Sequence, residues 1–217
     1  LQNASPFWIK KNFNVVLMRT VMELQGTPCA ALEVIEPKQS IMSSKSFGSM
    51  QTELVMIEQA LSAYVARAWE KLRRQNATVK QIHVFVHSNR FRQDLKQYRN
   101  GLDYQFIHPT DDIRELTRVA KYCLHKLYKP GIFYKKVGVC LMDLQDKNQQ
   151  QKDLFHVIDD NRHAHGERLM QVCERIQRKY GKDMIHLASE GFIKPWSMKA
   201  EKKSPAYTTQ WAHLPQV

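Results

Sequence analysis

The chain has 217 residues, 43% of them hydrophobic, enough for at least one sizeable core in one or two domains. Its 33 Lys and Arg outnumber 21 Asp and Glu, and the net charge of +12 points to a polyanionic partner. No apolar run reaches the roughly 18 residues that span a bilayer, which argues against a membrane protein.

Apolar residues at helical spacing predict one helix over 8–24, ended by Gly26 and Pro28, and an extended linker over 27–38. The stretch "SIMSSKSFG" (40–48) reads as a strand entering a glycine turn. Over 53–74, Leu54, Ile57, Leu61, Val65, Ala68 and Leu72 share one face and predict an amphipathic helix. In "QIHVFVH" (81–87), Ile82, Val84 and Val86 alternate with His83, Phe85 and His87, as in a half-buried strand. Residues 102–108 read as a shorter strand. Thr110 is expected to cap the next helix, with Ile113, Leu116, Ala120, Leu124 and Leu127 as its buried stripe and Pro130–Gly131 as its stop. "FYKKVGVCLMDL" (133–144) reads as the final strand.

This β-α-β-β-α-β order predicts an α+β fold, with a four-stranded sheet and two helices on one face. The open face would carry His83, Phe85, His87 and one of Lys135 or Lys136. Residues 145–153 read as a polar linker. A helix over 166–181, with Leu169, Val172 or Cys173 and Ile176 inward and Gly181 as its cap, begins a small C-terminal α/β module. A short strand in "MIHLAS" (184–189) and an extended "SPAYTTQWAHLP" complete it.

The charge is uneven. Residues 1–37 are neutral, residues 38–145 carry eighteen basic and nine acidic groups, and residues 151–217 carry eleven and eight. In "SSKSFG" and "YKKVGV", Ser44, Lys45, Ser46, Lys135 and Lys136 are candidates for phosphate contact, with Gly48 and Gly138 letting nucleic acid approach the backbone. The bland alternative is ordinary solvated lysine. "HVFVHSNRFR" (83–92) adds Arg90 and Arg92 as DNA-binding candidates, with Phe85 and Phe91 either stacking on bases or packing internally.

Other chemistry is sparse. His156, His163 and His165 include an HxH pair, but their Asp159, Asp160 and Asn161 neighbours read as a solvated loop, so no metal site is expected. There is no Walker loop, GxGxxG, GxSxG or HExxH. The Asp111–Asp112 pair lies where a helix start favours acids for structural reasons. No catalytic residue is assigned. The four cysteines, Cys29, Cys123, Cys140 and Cys173, form no CxxC pair and fit free thiols in a reducing cytoplasm. In "QKDLF", Leu154 and Phe155 end a polar stretch. They either fold back on a neighbouring module or, with Gln151, Lys152 and Asp153, form a linker peptide that fills a partner's pocket.

In this order, "FNVVLMRTVMELQGTPC", "SKSFG", the basic unit, "YKKVGVCLMDL", "QKDLF" and "SPAYTTQW" resemble the C-terminal part of the UmuC-type branch of the Y family of translesion DNA polymerases. The resemblance covers nearly the whole chain. It implies the end of a thumb helix and a linker (1–37), a little-finger DNA-binding domain (38–145), a linker with a clamp-binding motif (146–155) and a small C-terminal domain (156–217). It further implies error-prone synthesis in the SOS response to DNA damage, in the cytoplasm. The implied partners are damaged or primer-template DNA, the replicative sliding clamp, SOS accessory subunits and a recombinase filament, with no membrane. Ser44, Lys45, Ser46, Lys135, Lys136 and Gly138 carry over as DNA contacts, and Gln151, Lys152, Asp153, Leu154 and Phe155 as clamp contacts. Lys152 stands where Leu is common in that motif, which implies reduced affinity. The chain opens without Met and is expected to be a fragment of something longer. The polymerase palm, with its Mg-binding carboxylates, is expected upstream of Leu1, so no cofactor is expected in this segment. The reading from a different class is a non-enzymatic nucleic-acid-binding module with a partner-binding peptide tail.

Overall fold

The structure is a computed structural model that describes residues 1–30, 36–149, 160–181, 184–198, 202–207 and 209–214. They form two compact units, Leu1–Pro37 and Lys38–Val217.

In the first unit, the helix expected over 8–24 is two helices, α1 (Pro6–Asn12) and α2 (Val15–Leu24). Asn14 is the cause. Asn competes poorly in a helix interior and caps well. Its side-chain oxygen accepts the Leu17 N–H at 2.8 Å, and Phe13 before it leaves helical geometry at φ −127°, ψ −111°. Ile9 and Val21 are the buried residues of the pair, and the Gln25 amide donates to the carbonyls of Gln2 and Ala4 at 2.8 and 3.1 Å.

The second unit contains β1 (Ile41–Gln51), α3 (Leu54–Arg74), β2 (Ala77–Ser88), β3 (Arg99–Thr110), α4 (Ile113–Leu127), β4 (Tyr134–Asp146) and α5 (Asp160–Tyr180). The four strands form one antiparallel sheet in the order β1-β4-β2-β3. The helices α3 and α4 pack on one face. Ile57, Leu61 and Leu72 from α3 and Leu116 and Leu124 from α4 are fully buried against Val84, Val139 and Leu141 of the sheet. Each such side chain contributes roughly 1.5–3 kcal/mol by leaving water.

Several ends differ from the sequence reading. Thr110 closes β3, and the cap of α4 is Asp112, whose carboxylate accepts the Arg114 N–H at 2.8 Å. Strand β4 runs on to Asp146, and Lys147–Gln149 form a 3-10 turn, so 145–149 are not linker. No strand forms over 184–189. Instead the Leu187 N–H donates to the Glu190 carboxylate at 3.1 Å and closes a 3-10 turn over Ala188–Glu190. The C-terminal region is therefore helix and turns among the described residues, without a strand of its own. It also shares the core of the sheet unit, where Met170 and Trp196 are 2% and 3% exposed.

A cluster of charges orients α5. Arg73 of α3 pairs with Asp111, with Glu167 at 3.3 Å and with Glu174 at 3.3 Å, while Lys147 reaches Asp111 at 2.7 Å and also Glu167. Burial works against the Arg73 charge, but the Asp111, Glu167 and Glu174 carboxylates outweigh it and raise the pKa further. With Glu167 and Glu174 turned to Arg73, Met170 faces the core and so does Cys173, the second of the expected alternatives Val172 or Cys173, whereas Leu169, expected inward, stays exposed. Asp111 and Asp112 thus serve an ion cluster and a helix cap.

Candidate nucleic-acid interface

With helices on one face, the sheet's other face is fixed by strand register. Three rows cross it from β1 through β4 and β2 to β3: Ser46–Lys136–His87–Arg99, Ser44–Gly138–Phe85–Gly101, and Met42–Cys140–His83–Asp103. Four strands about 4.8 Å apart make each row roughly 14 Å wide, comparable with the ~12 Å major groove of duplex DNA.

Along β2 the rings form a file. His83 and Phe85 stack at 5.8 Å between centroids, and Phe85 and His87 lie 5.1 Å apart. Phe85 is only 8% exposed, because it lies over Gly138, and Lys136 Nζ sits 5.9 Å from its centroid. His83 Nδ1 bonds the Asp103 carboxylate at 2.8 Å. Burial first, then the nearby Arg99, Lys136 and His83, hold the His87 imidazole below its ordinary value of 6.5. The first row is therefore a cationic end of the face that disfavours a further positive charge.

Ser44, Ser46, Lys136 and Gly138 thus meet on this face, but the room at Gly138 is taken by the Phe85 ring. In this structure the missing side chain at Gly138 makes room for that ring. Lys45 belongs by alternation with the buried Ile41, Ser43 and Phe47, on the helix side of the edge strand. Lys135 is the extra residue of a register shift between positions 134 and 136, and its ammonium donates to the Phe47 carbonyl at 2.8 Å. Arg90 and Arg92 lie in the β2–β3 connection. Arg92 is held by Asp94 at 2.6 and 2.8 Å, and Arg90 covers the exposed Phe91 ring at 4.7 Å. Arg99 is the residue that sequence reasoning missed. The signal was its place opposite His87, visible only once β3 is extended back to position 99.

The clamp-motif positions Gln151, Lys152, Asp153, Leu154 and Phe155 lie outside the described residues, as do His156 and Asp159. Among the described residues, no group of three or more His, Cys, Asp or Glu could hold a metal ion, and no helix is long and apolar enough to cross a membrane.

Fold and face together define a two-layer α+β unit whose other sheet face carries Lys136 and Arg99 and is covered by no helix of the same unit among the described residues. Comparison with known proteins gives its family. Residues 38–154 match the impB/mucB/samB family C-terminal domain, and residues 167–217 match a domain of unknown function. Over the whole chain it is 39% identical to Protein UmuC of Salmonella typhimurium, covering 51% of that protein. It is 38% identical to Protein SamB and 35% to Protein ImpB of the same organism, covering 99% of this chain and 50% of each relative. A Y-family DNA polymerase chimera of known structure aligns with 64% of this chain and 38% of its own, at 16% identity and a TM-score of 0.41. The chain belongs to the impB/mucB/samB family, and it spans about half the length of the curated relatives it matches.

Proposed function

We propose that this chain is the DNA-gripping and clamp-docking part of an error-prone translesion DNA polymerase that acts in the SOS response. The observation that carries the reading is the family match over 38–154, on a unit whose open face ends in Lys136 and Arg99 flanked by Ser46. Contacts to phosphates from such a row ignore base identity, which suits a damaged template. The contacts we assign are Ser44, Ser46, Lys136 and Arg99, with Arg90 reaching from the adjoining loop. The palm and its Mg site would belong to the half of the relatives' length that this chain does not span. "QKDLF" is the clamp ligand in this reading: it follows the Lys147–Gln149 turn in sequence, and the family match closes within it at residue 154.

Purified chain is titrated with sliding clamp and with two duplexes of unrelated sequence. The reading predicts clamp binding on the order of micromolar, about −8 kcal/mol. It also predicts similar weak affinity for both duplexes. Changing Leu154 and Phe155 together to Ala should abolish clamp binding and leave the melting temperature unchanged. Clamp binding that survives, with a large loss of thermal stability, would assign the pair to this chain's own core. Affinity for one duplex only would favour a sequence-reading module of another class.

A further inference from the structure

A second charged feature lies along the edge of the sheet. A cleft of about 460 Å³ runs between the edge strand β1, helix α3 and the C-terminal residues 185–194. Lys45, Arg67, Lys71, Arg74 and Lys194 line it. Its two carboxylates already face bases, Glu70 with Arg74 and Glu190 with Lys194, each at 3.9 Å. The excess is positive, so the occupant is anionic. Arg67, Lys71 and Arg74 are spaced i, i+4, i+7 on α3, which sets them in a line along one side of the cleft.

The opposite side is a strand edge. β1 is the last strand of the sheet, and among the described residues Met42–Lys45 pair only with β4. The edge already takes one outside backbone bond further along, where the Gly48 N–H donates to the Trp196 carbonyl at 3.2 Å. An extended chain can therefore lie against it. The rest of the lining mixes apolar Met42, Ala63, Ala66 and Ile185 with two serines, Gln177 and His186, and contains no Phe, Tyr or Trp. Single-stranded nucleic acid needs aromatic platforms for its bases, and Glu70 and Glu190 would oppose an unbroken run of phosphates. A peptide strand with alternating carboxylate and small apolar side chains meets all three conditions: backbone bonds to β1, carboxylates to the α3 row, and apolar groups to the floor.

We propose that this cleft is a docking site for an extended acidic peptide of a partner protein, added as a fifth strand beside β1. The site shares no residue with the clamp motif and adjoins the open face at Met42 and Ser44 of the edge strand.

The test uses the 217-residue chain and a fluorescein-labelled peptide of four Glu-Val repeats, followed by anisotropy and amide NMR. The expected result is saturable binding that weakens with salt and shifts the amides of Met42–Lys45 more than those of Phe85 or Gly101. Arg67→Ala with Lys71→Ala, both exposed positions that leave the core untouched, should weaken it about tenfold. A Lys-Val peptide should not bind. The proposal is overturned if the Glu-Val peptide shows no saturable binding, if the double variant binds it unchanged, or if an eight-nucleotide oligothymidylate displaces it from the same amides.

Discussion

The ring of Phe85 lies across the bare Cα of Gly138, in the space a side chain at position 138 would need. A Cβ there would come within 2.9 Å of Phe85 Cε1 and 2.5 Å of Ser44 Cβ. Gly138→Ala therefore forces the ring file on β2 to move. Overpacking of this kind costs about 1–3 kcal/mol, and at about 2–4 °C per kcal/mol for a chain of this size the melting temperature should fall by about 2–12 °C. Calorimetry of the variant checks this. An unchanged melting temperature would mean that Phe85 swings aside freely.

Arg99 and Lys136 should each carry one phosphate contact. Replacing either by Ala should lower the log-log salt slope for duplex binding by about 0.9, equally for unrelated sequences. Lys135→Ala should leave the slope alone, since its ammonium is taken up by the Phe47 carbonyl. A slope that responds to Lys135 and not to Lys136 would reverse the assignment.

His87 makes both stability and DNA binding depend on pH. Its folded-state pKa is lowered from 6.5, so between that lowered value and 6.5 the unfolded chain binds the extra proton. Stability from this group is present above 6.5 and declines as pH falls through the window. Nearby phosphates act in the opposite sense and should raise the imidazole pKa, so duplex affinity should grow as pH falls. NMR titration of the His87 ring with and without duplex reads both effects. A ring whose titration does not move on binding would remove His87 from the interface.

Arg73→Met should be strongly destabilising. It leaves the Asp111 carboxylate, only 8% exposed, with Lys147 as its remaining ion-pair partner among the described residues. Breaking such a buried pair from one side typically costs about 3–5 kcal/mol. In the wild type, burial opposes ionisation of Glu167, but Lys147 and Arg73 outweigh it and hold its pKa below 4.5. The stability it contributes is present above pH 4.5 and is lost as pH falls through that lowered value. Urea unfolding across pH 3–6 should show this acid limb in the wild type and a weaker one in the variant.

The sheet unit was legible because its pattern is local. The alternation of Ile82, Val84 and Val86 and the spacing of Ile57, Leu61, Val65, Ala68 and Leu72 are set by burial alone, and all eight residues are fully buried. What was not legible depends on single polar atoms and on pairing. Asn14 splits a helix whose apolar spacing continues through it, and Asp112 displaces Thr110 as a cap by offering a carboxylate two positions closer to the helix. Arg99 looked like loop because Asn100 and Gly101 beside it are poor strand formers. Only its partners across β2 hold it in the sheet. That Met170 turns inward and Leu169 outward could not be read from α5 itself, since it is set by Arg73, about a hundred positions earlier in the chain.

The ion cluster around Arg73 has a practical corollary for dissecting this protein. The family match closes at residue 154, yet the carboxylates that answer Arg73 and Lys147 include Glu167 and Glu174, and the hydrophobic lid includes Met170 and Trp196. An expression clone cut at the family boundary would strip two acids from the largely buried Arg73 and the half-buried Lys147 and bare the core beneath α5. Cloning limits for the isolated sheet unit belong after residue 198, not before 160.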